Sequence, residues 1–142
     1  MELLRVVQFR DRDRACCYGL SVSQCYALEA VVRSGPLTVN DLAAALYLDK
    51  STASRLARGL TDRGLILRQR DPGDGRTVRL AATAEGQSTA NRIHTHLVNE
   101  YAALIEDFPA EVRAAAAQIV GRLATAVGGR IDASGGTCCI ID

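Results

Sequence analysis

Short polar and cationic side chains are concentrated in one stretch of the sequence, residues 49–64, which reads DKSTASRLARGLTDRG. Hydroxyl and guanidinium groups of this kind hydrogen-bond to phosphate oxygens and to base edges in the DNA major groove. The candidate DNA-binding residues here are Lys50, Ser51, Thr52, Ser54, Arg55 and Arg58. The alternative is an ordinary amphipathic helix whose arginines are only solvated.

One helix must present these groups. Asp49 can cap its start by accepting from backbone N–H groups of the first turn, and Gly64 suits the left-handed residue just past its end. The apolar residues at helical spacing, which predict the buried side, are Ala53, Leu56, Ala57 and Leu60. Such a helix is about 20 Å long at 1.5 Å per residue, which fits a major groove. We interpret it as a recognition helix.

Two helices are predicted before it. Ser21 to Gln24 has a capping-box pattern, and Thr38 to Asp41 repeats it with Asp in place of Glu. The first helix places Val22, Cys25, Leu28 and Val32 on one side and stops at Gly35-Pro36; the second buries Leu42, Ala43 and Leu46. The short link Tyr47-Leu48 leads into the recognition helix, which predicts a helix-turn-helix.

A hairpin is predicted after it. Residues 65–70 and 77–82 have strand patterns, and Asp71-Pro72-Gly73-Asp74-Gly75 between them is dense in turn residues. Between Asp49 and Arg79 there are eight basic and four acidic residues, a local excess of positive charge in a chain of net charge +1. Arg68, Arg70 and Arg79 either meet phosphates or are solvated strand charges.

Two long helices close the pattern. One runs from Thr83 to about Glu106, and the other begins at Pro109 and ends at Gly128-Gly129. Their apolar stripes exceed what a small helix-turn-helix core can cover, so we expect a homodimer built from terminal helices. The alternative is an intramolecular helical hairpin and a monomer.

Length and composition restrict the class of protein. A chain of 142 residues with 48% hydrophobic and 23% charged residues fits one globular domain. No apolar run reaches the length of a membrane span and no signal peptide is recognised, so a cytoplasmic location is expected and no membrane partner. Neither a phosphate-binding glycine loop nor a catalytic motif is found, so an enzyme is not expected.

The succession of these motifs resembles the MarR family of bacterial regulators. The match is carried by Leu37-Thr38 through Leu42-Ala43, then LDKSTASRLARGLTDRGLILRQRDPGDGRTVRL, then Thr83-Ala84-Glu85-Gly86. It implies a mainly α (α+β) fold, a winged helix-turn-helix with a two-stranded wing and terminal helices forming a dimerisation region. The expected single domain has dimerisation helices at 1–18 and 84–128, the winged helix-turn-helix at 20–83 and a flexible cysteine-containing tail at 129–142.

The resemblance also implies a function. A homodimeric repressor would bind a pseudo-palindromic operator in double-stranded DNA, with the recognition helix in the major groove. In the wing, the Asp that matches Asp74 would brace the Arg that matches Arg76, which would enter the minor groove. A guanidinium on a narrow hairpin suits the negative potential of a narrow minor groove, which agrees with this reading.

Five cysteines supply the remaining chemistry. Cys16, Cys17, Cys138 and Cys139 form two adjacent pairs, and Cys25 shares a helix stripe with Leu28. Thiolates gathered in this way suit a soft ion, and arsenite, mercury, cadmium or zinc is the possible effector; no cofactor is required. The alternatives are cysteine oxidation or a small organic ligand as the signal, or, in another class, a thiol-based metal-handling protein.

Overall fold

The computed structural model describes residues 18–133 of the chain. Over these residues it has five helices and one two-stranded antiparallel sheet. The elements are α1 (Val22–Ser34), α2 (Val39–Ala45), α3 (Lys50–Asp62), β1 (Ile66–Arg70), β2 (Val78–Ala82), α4 (Ala84–Leu104) and α5 (Ala110–Ala133). The chain divides into two compact units, one ending at Thr95 and the next beginning at His96. The predicted mainly α fold with one hairpin is confirmed.

Side-chain caps fix where the first helices begin, as predicted. At α1, Ser21 Oγ accepts from the N–H of Gln24 at 3.2 Å, and Gln24 Oε1 accepts from the N–H of Ser21 at 3.0 Å. At α2, Thr38 and Asp41 form the same reciprocal pair, at 3.1 and 2.9 Å. Each box satisfies two backbone donors that have no partner within a helix.

The turn between α2 and α3 is a left-handed cap made by an unusual residue. The N–H of Leu48 donates to the Ala43 carbonyl at 2.9 Å, and the N–H of Tyr47 donates to Ala44 at 3.2 Å. This is the Schellman pattern, and its left-handed position is held by Tyr47 at a φ of 53°. Glycine usually holds that position because a Cβ is crowded there.

The same pattern ends α3, this time with glycine. Gly64 has a φ of 71°, and its N–H donates to the Thr61 carbonyl at 2.9 Å. The N–H of Leu65 donates to Leu60 at 3.0 Å. The chain then passes directly into β1, so the end of the recognition helix fixes the start of the hairpin.

The hairpin is anchored at its base. Ile66 pairs with Ala82 and Arg70 with Val78 along the two strands. On its outer edge Leu80 also bridges to Leu37, donating at 2.7 Å and accepting at 3.1 Å. This isolated bridge attaches the segment before α2 to the outer edge of β2.

The hydrophobic core of the first unit lies between α1, α2, α3 and the base of the hairpin. Its largest fully buried side chains are Leu20, Leu28, Leu42, Leu60, Ile66, Leu80 and Val31. On α1 the expected stripe is partly wrong. Leu28 is buried, but Val22, Cys25 and Val32 are only half-buried, whereas Ala27, Ala30 and Val31 are buried. Small alanines mark this face because α1 packs closely on its neighbours.

The last helix extends further than predicted. Gly128 and Gly129 were expected to end it, but α5 runs on to Ala133, so residues 129–133 are helical rather than part of a flexible tail. A glycine costs only about 1 kcal/mol inside a helix, so two of them need not end it. No helix among residues 18–133 is long and apolar enough to span a membrane.

Candidate nucleic-acid interface

Helix α3 has two unlike faces, as its sequence predicts. Ala53, Ala57 and Leu60 are completely buried against the core. At about 100° per residue, Ser51, Arg55 and Arg58 lie on the opposite side, and all three are exposed. Lys50 is exposed as well, whereas Thr52 and Ser54 lie half-buried on the flanks. The structure therefore brings Ser51, Arg55 and Arg58 together on the solvent side of α3, whereas the other three predicted residues lie around its first turn and flanks.

Asp49 organises the first turn of that helix. Its Oδ1 accepts from the N–H of Thr52 at 2.9 Å and from Ser51 Oγ at 2.5 Å, and its Oδ2 accepts from Thr52 Oγ1 at 2.7 Å. These donors stabilise the charged carboxylate, led by the Ser51 hydroxyl, and hold the pKa of Asp49 well below its usual range. Asp49 is therefore an ionised cap at neutral pH.

The network continues to a guanidinium. Arg55 Nη2 donates to Thr52 Oγ1 at 3.0 Å. The carboxylate thus orients Arg55 indirectly, through one hydroxyl, while Arg55 stays at the surface. An oriented arginine loses less freedom when it forms a bidentate contact with a base or a phosphate.

The tip of the wing is shaped by Asp74. Its Oδ1 accepts from the backbone N–H of Arg76 at 3.0 Å, and its Oδ2 accepts from Thr77 Oγ1 at 2.7 Å. The Thr77 hydroxyl and then the Arg76 N–H lower the pKa of Asp74. Asp74 holds the backbone beneath Arg76, and Arg76 projects from the tip as an exposed side chain.

Arg79 makes contacts within the protein that the sequence did not predict. It forms an ion pair with Asp71, and its Nη1 donates to the carbonyl of Pro36 at 3.2 Å. Asp71 in turn accepts from the N–H groups of Gly73 and Asp74 at 2.8 and 3.0 Å. Arg79 is therefore not merely solvated, because it ties the wing to the segment before α2, and its expected contact with a phosphate stays a prediction. Sequence spacing carries no signal for a contact across 43 residues.

An open groove runs along the side of α3 facing β1. It has a volume of ≈ 330 Å³ and is lined by Ser54, Arg58, Thr61, Asp62 and Arg68. The groove brings Arg58 of the helix and Arg68 of the strand to one surface, so the helix and the wing each contribute a positively charged side chain to it.

Four of the predicted thiol ligands, Cys16, Cys17, Cys138 and Cys139, lie outside the described residues. Cys25 is half-buried on α1 and packs against the core. Within residues 18–133 no group of three His, Cys, Asp or Glu side chains is placed to hold a metal ion.

The fold and this surface define a winged helix-turn-helix protein. Residues 18–77 match the sequence profile described as the MarR family. The chain is 25% identical over 120 residues to the uncharacterised HTH-type transcriptional regulator YxaD of Bacillus subtilis, covering 84% of each chain. It is 32% identical over 59 residues to an uncharacterised protein of Methanocaldococcus jannaschii, covering 42% of this chain and 45% of that protein. A solved MarR family protein from Bacillus stearothermophilus is 25% identical, with a TM-score of 0.76 over 89% of this chain and 91% of that one.

The part of the chain that contains α1, α2, α3 and β1 therefore resembles the MarR family. YxaD is described as an HTH-type transcriptional regulator, which is the class of protein that the motifs predict.

Proposed function

We propose that this chain is a homodimeric repressor that binds a pseudo-palindromic operator, with α3 in the major groove and the wing in the adjoining minor groove. The observation that carries the proposal is the division of α3 into a buried face of Ala53, Ala57 and Leu60 and an opposite, exposed face of Ser51, Arg55 and Arg58. A helix anchored in this way presents its polar face as a rigid unit, which recognition in a groove requires.

The wing supports the same mode of binding. Arg76 is exposed at a tip whose backbone is fixed by Asp74, and the Asp71–Arg79 ion pair joins the chain just after β1 to β2 next to that tip. A guanidinium projecting from a narrow, fixed hairpin can enter a minor groove whose negative potential attracts it. Residues 20–83 are the DNA-binding part in this proposal.

The apolar side chains of the second unit support the proposed homodimer. Its large apolar side chains are exposed in the single chain, which is unusual for a monomer. They include Leu97, Tyr101, Leu104, Phe108, Val112, Ile119, Leu123 and Val127. We propose that residues 84–128, together with residues 1–18, form the dimer interface, and that two subunits present their α3 helices to two half-sites.

The test is in vitro selection of DNA from a random pool with the full chain, followed by titration of the selected duplex at several salt concentrations. The expected result is an inverted repeat bound by a dimer, with log Kd varying linearly with log salt because several counterions are released. Binding that is weak, independent of sequence and independent of salt would contradict the proposal and favour a thiol-based metal-handling protein.

The effector is proposed separately. The paired thiols Cys16-Cys17 and Cys138-Cys139 have the soft donor chemistry that arsenite, mercury, cadmium and zinc prefer, and we propose that one of these ions changes operator affinity. Native mass spectrometry with each ion, and operator titration of Cys16→Ser and Cys139→Ser, test this. Loss of the ion response in both variants is expected. A response to peroxide instead would indicate oxidation, and no response to either would favour a small organic ligand.

A further inference from the structure

Hydrogen bonds fix the direction in which the hydroxyl groups at the start of α3 donate. Ser51 Oγ donates to Asp49 Oδ1 at 2.5 Å, and Thr52 Oγ1 donates to Asp49 Oδ2 at 2.7 Å. A hydroxyl has one proton and two acceptor lone pairs, whereas an ionised carboxylate only accepts. Both protons therefore point at Asp49, and only lone pairs remain for an incoming partner.

The two hydroxyls differ in whether an acceptor lone pair is still available to DNA. Thr52 Oγ1 already accepts from Arg55 Nη2 at 3.0 Å and is half-buried. Ser51 is exposed and lies directly opposite the buried face, one helical turn before Arg55. The exposed face of α3 thus presents an acceptor at Ser51 and a donor at Arg55, about 6 Å apart along the helix axis.

We propose that Ser51 recognises an exocyclic amino group, adenine N6 or cytosine N4, at one position in each operator half-site. In the major groove these amino groups are the only base donors, because guanine and thymine present oxygen or nitrogen acceptors there. Phosphate oxygens also only accept, so a hydroxyl that donates to Asp49 has no proton for them. The inference rests on the proposed function and specifies which bases the recognition helix prefers.

The neighbouring contact follows from the same network. Arg55 keeps several guanidinium donors after its bond to Thr52, and a bidentate arginine pairs best with guanine O6 and N7. An amino base read by Ser51 and a guanine read by Arg55 should lie within about two base pairs of each other, given 3.4 Å per base step.

The first experiment repeats DNA selection with the full chain, with Ser51→Ala, and with Ser88→Ala as a matched control on the exposed side of α4. The expected wild-type half-site contains one position restricted to adenine or cytosine. Ser51→Ala should lose that restriction and bind the wild-type operator about three- to tenfold more weakly, the range for one neutral hydrogen bond. Ser88→Ala should retain both the base restriction and the wild-type affinity for the operator.

The second experiment removes the amino group from the DNA. Purine in place of adenine, or 2-pyrimidinone in place of cytosine, should weaken wild-type binding by the same factor and leave Ser51→Ala unaffected. Asp49→Gly keeps most of the helix-cap preference but removes the acceptor, so Ser51 can donate. This variant should accept guanine or thymine at the position.

Three results would overturn the inference: a Ser51-dependent position that takes guanine or thymine, a Ser51→Ala loss that is equal for all sequences, or base preferences that Ser51→Ala leaves unchanged. In each of these the wild type still selects an inverted repeat, so the proposed function stands. If the wild type selects no sequence at all, the proposed function fails and the inference fails with it.

Discussion

The backbone of Gly86, in the first turn of α4, lies directly against the carbonyl oxygen of Leu65, the residue that joins α3 to β1. A Cβ atom placed on Gly86 would lie 1.9 Å from that oxygen. Thr83 completes the junction: its N–H donates to the same carbonyl at 3.0 Å, and its hydroxyl donates to the carbonyl of Gly64 at 2.7 Å and accepts from the N–H of Gly86 at 3.0 Å. Hydrogen bonds and close packing therefore join the end of α3 to the start of α4.

Gly86→Ala should destabilise the protein, because the new methyl group meets a backbone atom that cannot move alone. Overpacking of this kind costs about 1–3 kcal/mol in the free energy of unfolding. Urea denaturation of the variant measures it. Gly75→Ala is the matched control, since a Cβ there has no atom within 4 Å, and it should leave the unfolding midpoint nearly unchanged. Equal midpoints for the two variants would contradict the close approach.

Local chemistry accounts for what the sequence could predict. Capping boxes, the Asp49 cap and the Gly64 stop depend on neighbours within four residues, so their patterns can be recognised directly, and the structure confirms them. Long-range contacts could not be predicted in this way. The Arg79 bond to Pro36 depends on how the hairpin meets the segment before α2.

The backbone conformation of single residues also could not be predicted from the sequence pattern. Nothing in a helix-turn-helix motif indicates that Tyr47 takes the left-handed conformation, because that follows from a Schellman turn closing between two helices. The position of each α3 side chain was predictable from its period, whereas the hydroxyl polarity of Ser51 required the Asp49 geometry.

Tyr47→Gly should stabilise the protein. The left-handed conformation costs a residue with a Cβ about 1–2 kcal/mol, and glycine avoids most of that cost while losing an exposed ring. We expect a gain of about 1 kcal/mol, measured by chemical denaturation. Tyr47→Ala separates the two contributions because it removes the ring but keeps the Cβ. Stabilisation by alanine as large as that by glycine would show that the ring, and not the backbone, was responsible.

Stability should fall at acid pH in a defined direction. Hydrogen bonds hold the pKa of Asp41, Asp49, Asp71 and Asp74 below the usual value of 3.8, so near that pH the unfolded chain binds more protons than the folded one. The stabilisation is therefore present above about pH 4 and is lost as the pH falls through the folded pKa values.

Melting temperatures measured from pH 7 to pH 2.5 check this pH dependence. The wild type should lose stability mainly below about pH 4. A double variant, Asp49→Asn with Asp71→Asn, should start less stable and decline less steeply, because two of the responsible carboxylates are gone. A decline as steep as that of the wild type would assign the acid sensitivity to other groups.

Leu104→Glu should convert the proposed dimer to a monomer. Leu104 is 67% exposed in the single chain, so the substitution disturbs no core, but a charge would be buried at the interface. Light scattering after size-exclusion chromatography measures the mass, and operator affinity should fall together with it. Asn99→Glu, about 140° around α4 from Leu104, is the matched control and should remain dimeric. An unchanged mass for Leu104→Glu would place the interface elsewhere.

Variants of two wing arginines, Arg76 and Arg79, should separate an effect on DNA binding from an effect on folding. Arg76→Ala removes an exposed guanidinium at the tip, so it should weaken operator binding by at least tenfold while the melting profile stays that of the wild type, as expected for loss of one or more charge-assisted contacts. Arg79→Ala removes the ion pair with Asp71 and the bond to Pro36, so it should lower the melting temperature. Gel-shift titration and thermal melting of both variants give the comparison. Full operator affinity in Arg76→Ala, with an unaltered melting profile, would show that the wing tip does not contact DNA, and a wild-type melting profile in Arg79→Ala would show that its bonds do not hold the wing.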